Sequence, residues 1–145
     1  MATTTATAAT TTATIGQLAA AFNRCFATLD AGVGLFADDA LFDLYPPFWR
    51  FQVRGAEAFG SQLRAIAEGA PPTVRTLRVV PTATGFVTEH EEVHVTQIAR
   101  RMVLCEVRDG QITEAVVYCN GGWDADLRAR HRAEAPMVLP WETER

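Results

Sequence analysis

From Ile15 the apolar positions recur at the three- and four-residue spacing of a helix, with Ile15, Leu18, Ala19, Phe22, Phe26 and Leu29 on one face. Asp30 and Gly32 end that run. A short second helix or turn is expected over Val33 to Ala37, ahead of a strand from Ala40 to Tyr45. Pro46-Pro47 breaks this strand, and Phe48 to Arg54 reads as its partner. Gly55 opens another helix with Phe59, Leu63, Ile66 and Ala67 on one side, and Gly69-Ala70-Pro71-Pro72 stops it.

Beyond Pro72 the pattern changes to that of strands: Val74 to Val80, Phe86 to Val95, Ile98 to Val107 and Gln111 to Cys119. Turns fall at Thr84-Gly85 and Asp109-Gly110. Asp-Gly between two β-branched runs is a strong hairpin signal, because a two-residue type I′ turn needs positive φ at both centres. Helices first and a strand meander afterwards predict an α+β domain, its helices packed on one face of a curved antiparallel sheet. No internal repeat or linker divides the chain. Residues 1–14, which after Met1 are only Ala and Thr, read as a disordered tail; 15–135 form the single domain, and 136–145 a C-terminal tail with Trp141 as its available anchor.

Composition narrows the class. The 145 residues are 48% hydrophobic and 21% charged, as in an ordinary globular domain. A net charge of −4 argues against a nucleic-acid surface, which normally carries a basic patch. All 13 basic residues are arginine, a bias that fits GC-rich codon usage. Cys25, Cys105 and Cys119 are odd in number and lack CxxC spacing, so buried free thiols in a reducing cytoplasm are expected rather than disulfides. No apolar run approaches the ~18 residues of a membrane span.

Three pieces then carry a family likeness: Leu35-Phe-Ala-Asp-Asp-Ala-Leu-Phe-Asp, Arg54-Gly55 before the second long helix, and Val107-Arg-Asp-Gly-Gln-Ile-Thr-Glu followed by Tyr118-Cys-Asn. In this order of elements, residues 15 to 125 resemble the SnoaL-like polyketide cyclases of the nuclear transport factor 2 and ketosteroid isomerase superfamily. The resemblance implies a cone, in which the curved sheet wraps the helices around a deep pocket, and enzymes that act without metal or organic cofactor. It also implies a homodimer through the outer sheet face. Cyclases of this kind often carry an aspartate two residues after a tyrosine at the end of the last strand. Here that position is Asn120, and an amide cannot serve as a general base.

Another base is therefore needed, or none. On a strand, Val87, Glu89, Glu91 and Val93 share one face, and Thr88, His90, Glu92 and His94 the other. Glu89 beside Val87 is the first candidate, since desolvation on a pocket face would raise its pKa; the alternative is a solvated glutamate. Asp43 is the second candidate, with a surface carboxylate as its alternative. Tyr118 and Asn120 are expected to polarise a carbonyl, while Tyr45, Phe48, Trp49 and Trp123 shape the pocket and its lip. For Tyr118 a packed ring, and for the aromatic lip a core or dimer contact, stand as equal alternatives. Arg101 points either at the pocket mouth or into water.

His90-Glu-Glu-Val-His94 fits H-E-x-x-H, which binds zinc when a helix sets both histidines one turn apart. Its β-rich flanks argue against that, because on a strand the two histidines are ~13 Å apart at ~3.3 Å per residue. The stretch from Asp124 to Glu134, with Arg128, Arg130, His131 and Arg132, reads as a short exposed helix. The expected function is cofactor-independent ring closure, or an allied isomerisation or dehydration, of a bulky apolar polyketide-type intermediate. The rivals are a non-catalytic binding module and an epoxide hydrolase, the latter requiring Asp43 to face Glu89 across the cavity.

Overall fold

A computed structural model describes residues 13–120 and 125–139. Most of the Ala/Thr stretch, Trp123 and Trp141 therefore lie outside the described residues. Helix α1 (Ile15–Thr28) starts from a capping box: the Gln17 amide donates to Thr14 Oγ1 at 3.2 Å and the Thr14 amide to Gln17 Oε1 at 2.8 Å. Its buried face holds Leu18, Ala19, Phe22, Asn23, Cys25 and Phe26, the apolar stripe of the sequence with one polar insertion.

The strands are β1 (Phe36–Tyr45), β2 (Phe51–Arg54), β3 (Thr73–Pro81), β4 (Gly85–Val93), β5 (Ile98–Arg108) and β6 (Gln111–Cys119). Helix α2 (Ala56–Ile66) connects β2 to β3, and α3 (Ala125–Glu134) follows β6 with no buried residue. The six strands form one curved sheet in the order β2-β1-β6-β5-β4-β3. Helices α1 and α2 pack on its concave side, an α+β cone.

Two expectations change. The sheet is mixed, because β1 runs parallel to β6, from Phe36 opposite Ile112 to Tyr45 opposite Tyr118. The segment Val33–Ala37 is no helix; β1 already begins at Phe36, which is buried, and Gln111 Nε2 holds the carbonyls of Gly34 and Phe36 at 3.2 and 3.1 Å. Both differences arise from pairing across more than 70 residues, which local periodicity does not encode. The hairpin at Asp109-Gly110 has positive φ at both centres, 53° and 75°, as the type I′ turn requires.

Cross-strand register sorts the concave face into rows. Phe86, Cys105, Ala115 and Phe42 form one, and Thr88, Val103, Val117 and Leu44 the next. The third is His90, Arg101 and Cys119. The interior thus changes from apolar to polar along the strands. Its apolar end is closed by Phe59 of α2, stacked on Phe42 at 4.1 Å and 6° and in ring contact with Phe22, Phe26 and Phe36. Phe59→Ala should cost ~3–5 kcal/mol, the range for emptying a packed aromatic site, measured by urea unfolding. A loss below ~1 kcal/mol would contradict this central place for the ring.

Candidate functional site

At the polar end the cone opens into a cavity of about 1050 Å³. Three loops frame it: the β1–β2 turn with Pro46 and Trp49, the α2–β3 connection with Pro71 and Pro72, and the β4–β5 turn with Val95. Phe26, Leu29, Leu44, Phe51, Leu63 and Val117 make apolar walls. Glu92, His94, Arg101 and Cys119 are among the polar residues of the lining.

Alternation along β4 and β5 brings this polar group together. Phe86 is buried, so Thr88, His90 and Glu92 share its inward face; Val103 and Cys105 do the same for Arg101. Glu92, 2% exposed, is the acceptor at the centre. Its Oε1 accepts from Arg101 Nε and from His90 Nε2 at 3.1 Å; its Oε2 accepts from Arg101 Nη2 at 3.1 Å and from His94 Nε2 at 3.2 Å. Four donors occupy the roughly four lone-pair sites of a carboxylate.

Burial pushes the Glu92 carboxyl up, but the hydrogen bond from His90 and the charge and hydrogen bonds of Arg101 outweigh it and hold it down at about 2. Glu92 is therefore ionised and saturated, and cannot act as a base. Because an ionised carboxylate only accepts, both histidines donate to it through Nε2–H. In the neutral ring this leaves the lone pair on Nδ1.

The two histidines differ in access. His90 is fully buried, its ring 4.7 Å from that of Phe26, and its Nδ1 has no hydrogen-bond partner among the described residues. His94 has a side chain 21% exposed and lies in the cavity wall. Arg101 is buried with its Cζ 5.2 Å from the Phe26 ring centre. It commits Nε and Nη2 to Glu92, and Nη1 has no hydrogen-bond partner among the described residues. Burial lowers the Arg101 pKa, but the Glu92 charge raises it further, so the guanidinium is permanently charged.

The residues proposed from the sequence are divided by this geometry. Arg101, Trp49 and Tyr45 border the cavity, but the Tyr45 ring turns to the convex side with Asp43 and Tyr118. Glu89 does not border it: it sits on the convex face, ion-paired to Arg78 at 2.8 Å and Arg100 at 2.9 Å. Its flanking Val87 is half-buried on that outer face and is no marker of the interior. Tyr118 also points outward, in phase with Glu89 across the sheet, and stacks on Tyr45 at 4.9 Å. Asn120 closes the β5–β6 ladder, its Oδ1 accepting from the Arg100 amide at 2.9 Å and its own amide donating to the Arg100 carbonyl at 3.2 Å. Asp43 lies on the convex side in a two-point pair with Arg50, at 2.8 and 2.6 Å, whose hydrogen bonds lower its pKa. Asp43 and Glu89 therefore do not face each other across the cavity, and the two-carboxylate arrangement needed for epoxide opening is not formed.

Glu92, His94, His90 and Cys119 are the lining and supporting residues that sequence reasoning missed. The H-E-x-x-H pattern marks the right segment for another reason. It lies on β4 and the turn after it, and its histidines flank and bind a common glutamate. Among the described residues no group of three or more His, Cys, Asp or Glu is arranged to hold a metal ion, and no helix is long and apolar enough to cross a membrane.

No family model matches the chain, and no curated protein sequence does. Solved structures do match in fold. An NTF-2 like protein of unknown function from Burkholderia xenovorans is 16% identical with TM-score 0.61, covering 87% of this chain and 95% of that one. A protein of unknown function with a cystatin-like fold from Methylobium petroleophilum is 12% identical with TM-score 0.63, covering 90% and 95%. A hypothetical protein with a ketosteroid isomerase-like fold from Catenulispora acidiphila, in complex with trimethylamine, is 15% identical with TM-score 0.58, covering 72% and 86%. The chain thus has the NTF2-like, ketosteroid isomerase-like fold.

The folded-state pKa of Glu92 is depressed from an ordinary 4.5 to about 2. Between those values the unfolded chain binds more protons than the folded one, so stability rises with pH through that window. Acid unfolding of the wild type should therefore steepen below about 4.5, and this component should vanish in Glu92→Gln. At neutral pH that variant should lose ~3–5 kcal/mol, because Arg101 is left buried and uncompensated; adding Arg101→Met should recover part of the loss. Urea titrations across pH check both, and an unchanged acid limb would count against the pair.

Proposed function

We propose that the cavity binds a bulky, mostly apolar molecule by one carbonyl oxygen and catalyses its cofactor-independent isomerisation or ring closure. His94 is the acid–base group. The observation that carries this reading is the saturation of Glu92 by Arg101, His90 and His94. It orients the His94 imidazole through Nε2 and leaves Nδ1 as the basic nitrogen, the logic by which a carboxylate positions a catalytic histidine.

In the proposed reaction, the carbonyl oxygen accepts hydrogen bonds from Arg101 Nη1, and His94 Nδ1 removes a proton from the adjacent carbon. The electron pair of the C–H bond moves into an enolate whose oxygen is stabilised by the guanidinium. Return of the proton to a different carbon isomerises the molecule; attack of the enolate carbon on a second carbonyl carbon of the same chain breaks that C=O π bond and closes a ring, and the alkoxide formed takes back the proton held on His94. The apolar walls, with Trp49 and Phe51 in ring contact at 5.6 Å, hold the skeleton in one folded shape and so remove part of the entropic barrier. A polyketide-type intermediate in natural-product biosynthesis has this chemistry: a long apolar skeleton with a carbonyl beside acidic C–H bonds.

The test is exchange at the carbon beside the carbonyl. Full-length protein in D₂O should wash deuterium into members of a panel of bulky cyclic ketones, read by mass spectrometry. His94→Ala should slow exchange by ~10²–10⁴-fold, the usual worth of a positioned acid–base group. Glu89→Gln and Asn120→Ala should leave it within about twofold, a change too small to mark a transition-state contact. Ketones that bind but never exchange would convert the reading to that of a non-catalytic binding module.

A further inference from the structure

We infer that Glu92 sets the substrate class of this cavity: by cancelling the charge of Arg101 it selects neutral carbonyl groups and rejects carboxylates. The inference rests on the preceding reading that the cavity is the working site. An open arginine at the inner end of an apolar cavity would ordinarily be an anion site, because guanidinium pairs with carboxylates at two points. Here the two-point partner is already supplied by the protein itself. Nε and one N–H of Nη2 are taken by Glu92, so a ligand meets the remaining N–H groups of a guanidinium whose charge is already balanced.

The other ionisable groups reinforce the selection. His90 and His94 both direct Nε2–H toward Glu92, so neither offers that donor to a ligand. Glu68, from the segment after α2, is a further acidic group in the cavity wall, and Cys119 contributes only a thiol. A ligand carboxylate would place a second anion around a guanidinium whose charge is already balanced, after losing its own hydration against apolar walls. A ketone or ester oxygen needs only the donors that Nη1 offers, and loses far less hydration.

Calorimetric titration of the full chain with naphthyl methyl ketone and with naphthoate tests this, since the pair shares one apolar body and differs in charge. The wild type should bind the ketone at least ~10-fold more tightly, a modest discrimination of about 1.4 kcal/mol. Glu92→Gln, which frees the Arg101 charge at nearly unchanged shape, should reverse the order. Equal or tighter binding of naphthoate by the wild type would overturn the inference, as would binding of neither ligand at millimolar concentration. The wild-type comparison decides the matter alone if circular dichroism shows that Glu92→Gln is unfolded. Failure here is separable from failure of the catalytic reading. A ketone that binds preferentially and never exchanges deuterium sinks catalysis only, whereas preferred naphthoate binding beside ketone exchange sinks the selectivity only.

Discussion

A carboxylate buried to 2% exposure must be surrounded by donors, and Glu92 obtains all of its donors from the ends of two neighbouring strands and the turn between them. That requirement ties β4 to β5 in one register. The adjacent doublets Glu91-Glu92 and Arg100-Arg101 show how the sequence meets it. Strand alternation sends one charge of each sign to each face: Glu92 and Arg101 inward, Glu91 and Arg100 outward. Outside, Glu91 pairs with Arg75 at 2.8 Å, and Glu89 bridges Arg78 and Arg100. Both faces of the sheet are thus served by local ion pairs. A one-residue slip would exchange the members of the doublets and carry Phe86, Val103 and Cys105 out of the core.

The polar end of the cone depends on the apolar end. Phe59 against Phe42, with Phe22, Phe26 and Phe36 around them, fixes the helices on the sheet. Phe26 belongs to both regions: it touches Phe22 and Phe59 on one side, and His90 and the Arg101 guanidinium on the other. Through this ring the position of α1 is transmitted to the charged group. Asn23, one turn earlier, adds a polar tie by donating to Thr76 at 2.8 Å and Thr88 at 2.9 Å.

The elements legible in the sequence are those whose signals are local. The stripe on α1, the stop at Gly69–Pro72 and the Asp109-Gly110 turn each rest on residues within a few positions of one another. The pairing of β1 with β6 does not, and neither does the face of β4 that turns inward. Assigning Glu89 to the cavity relied on Val87 as the marker of burial, although Phe86, with the larger apolar side chain, lies on the other parity. Tyr118 is likewise outside the cavity, since at its end of β6 the buried positions are Ala115 and Val117. Size alone does not select Arg101 either, because Met102 and Leu104 on β5 and Val116 and Tyr118 on β6 lie on the outward parity, opposite the smaller Val103, Cys105, Ala115 and Val117 of the core.

The unequal exposure of the two histidines gives the site its direction. Both donate to Glu92, so both are oriented by the same charge, yet only His94 lies in the cavity wall. His90 occupies the equivalent place on the closed side, where Phe26 covers its ring and its Nδ1 meets no donor or acceptor among the described residues. A buried polar atom without a partner is a standing cost. Its retention is understandable if His90 supplies the fourth hydrogen bond that keeps Glu92 ionised and fixed. One histidine then immobilises the carboxylate from behind, the arginine neutralises it, and the second histidine is left in the cavity wall, where a molecule entering the cone can reach it.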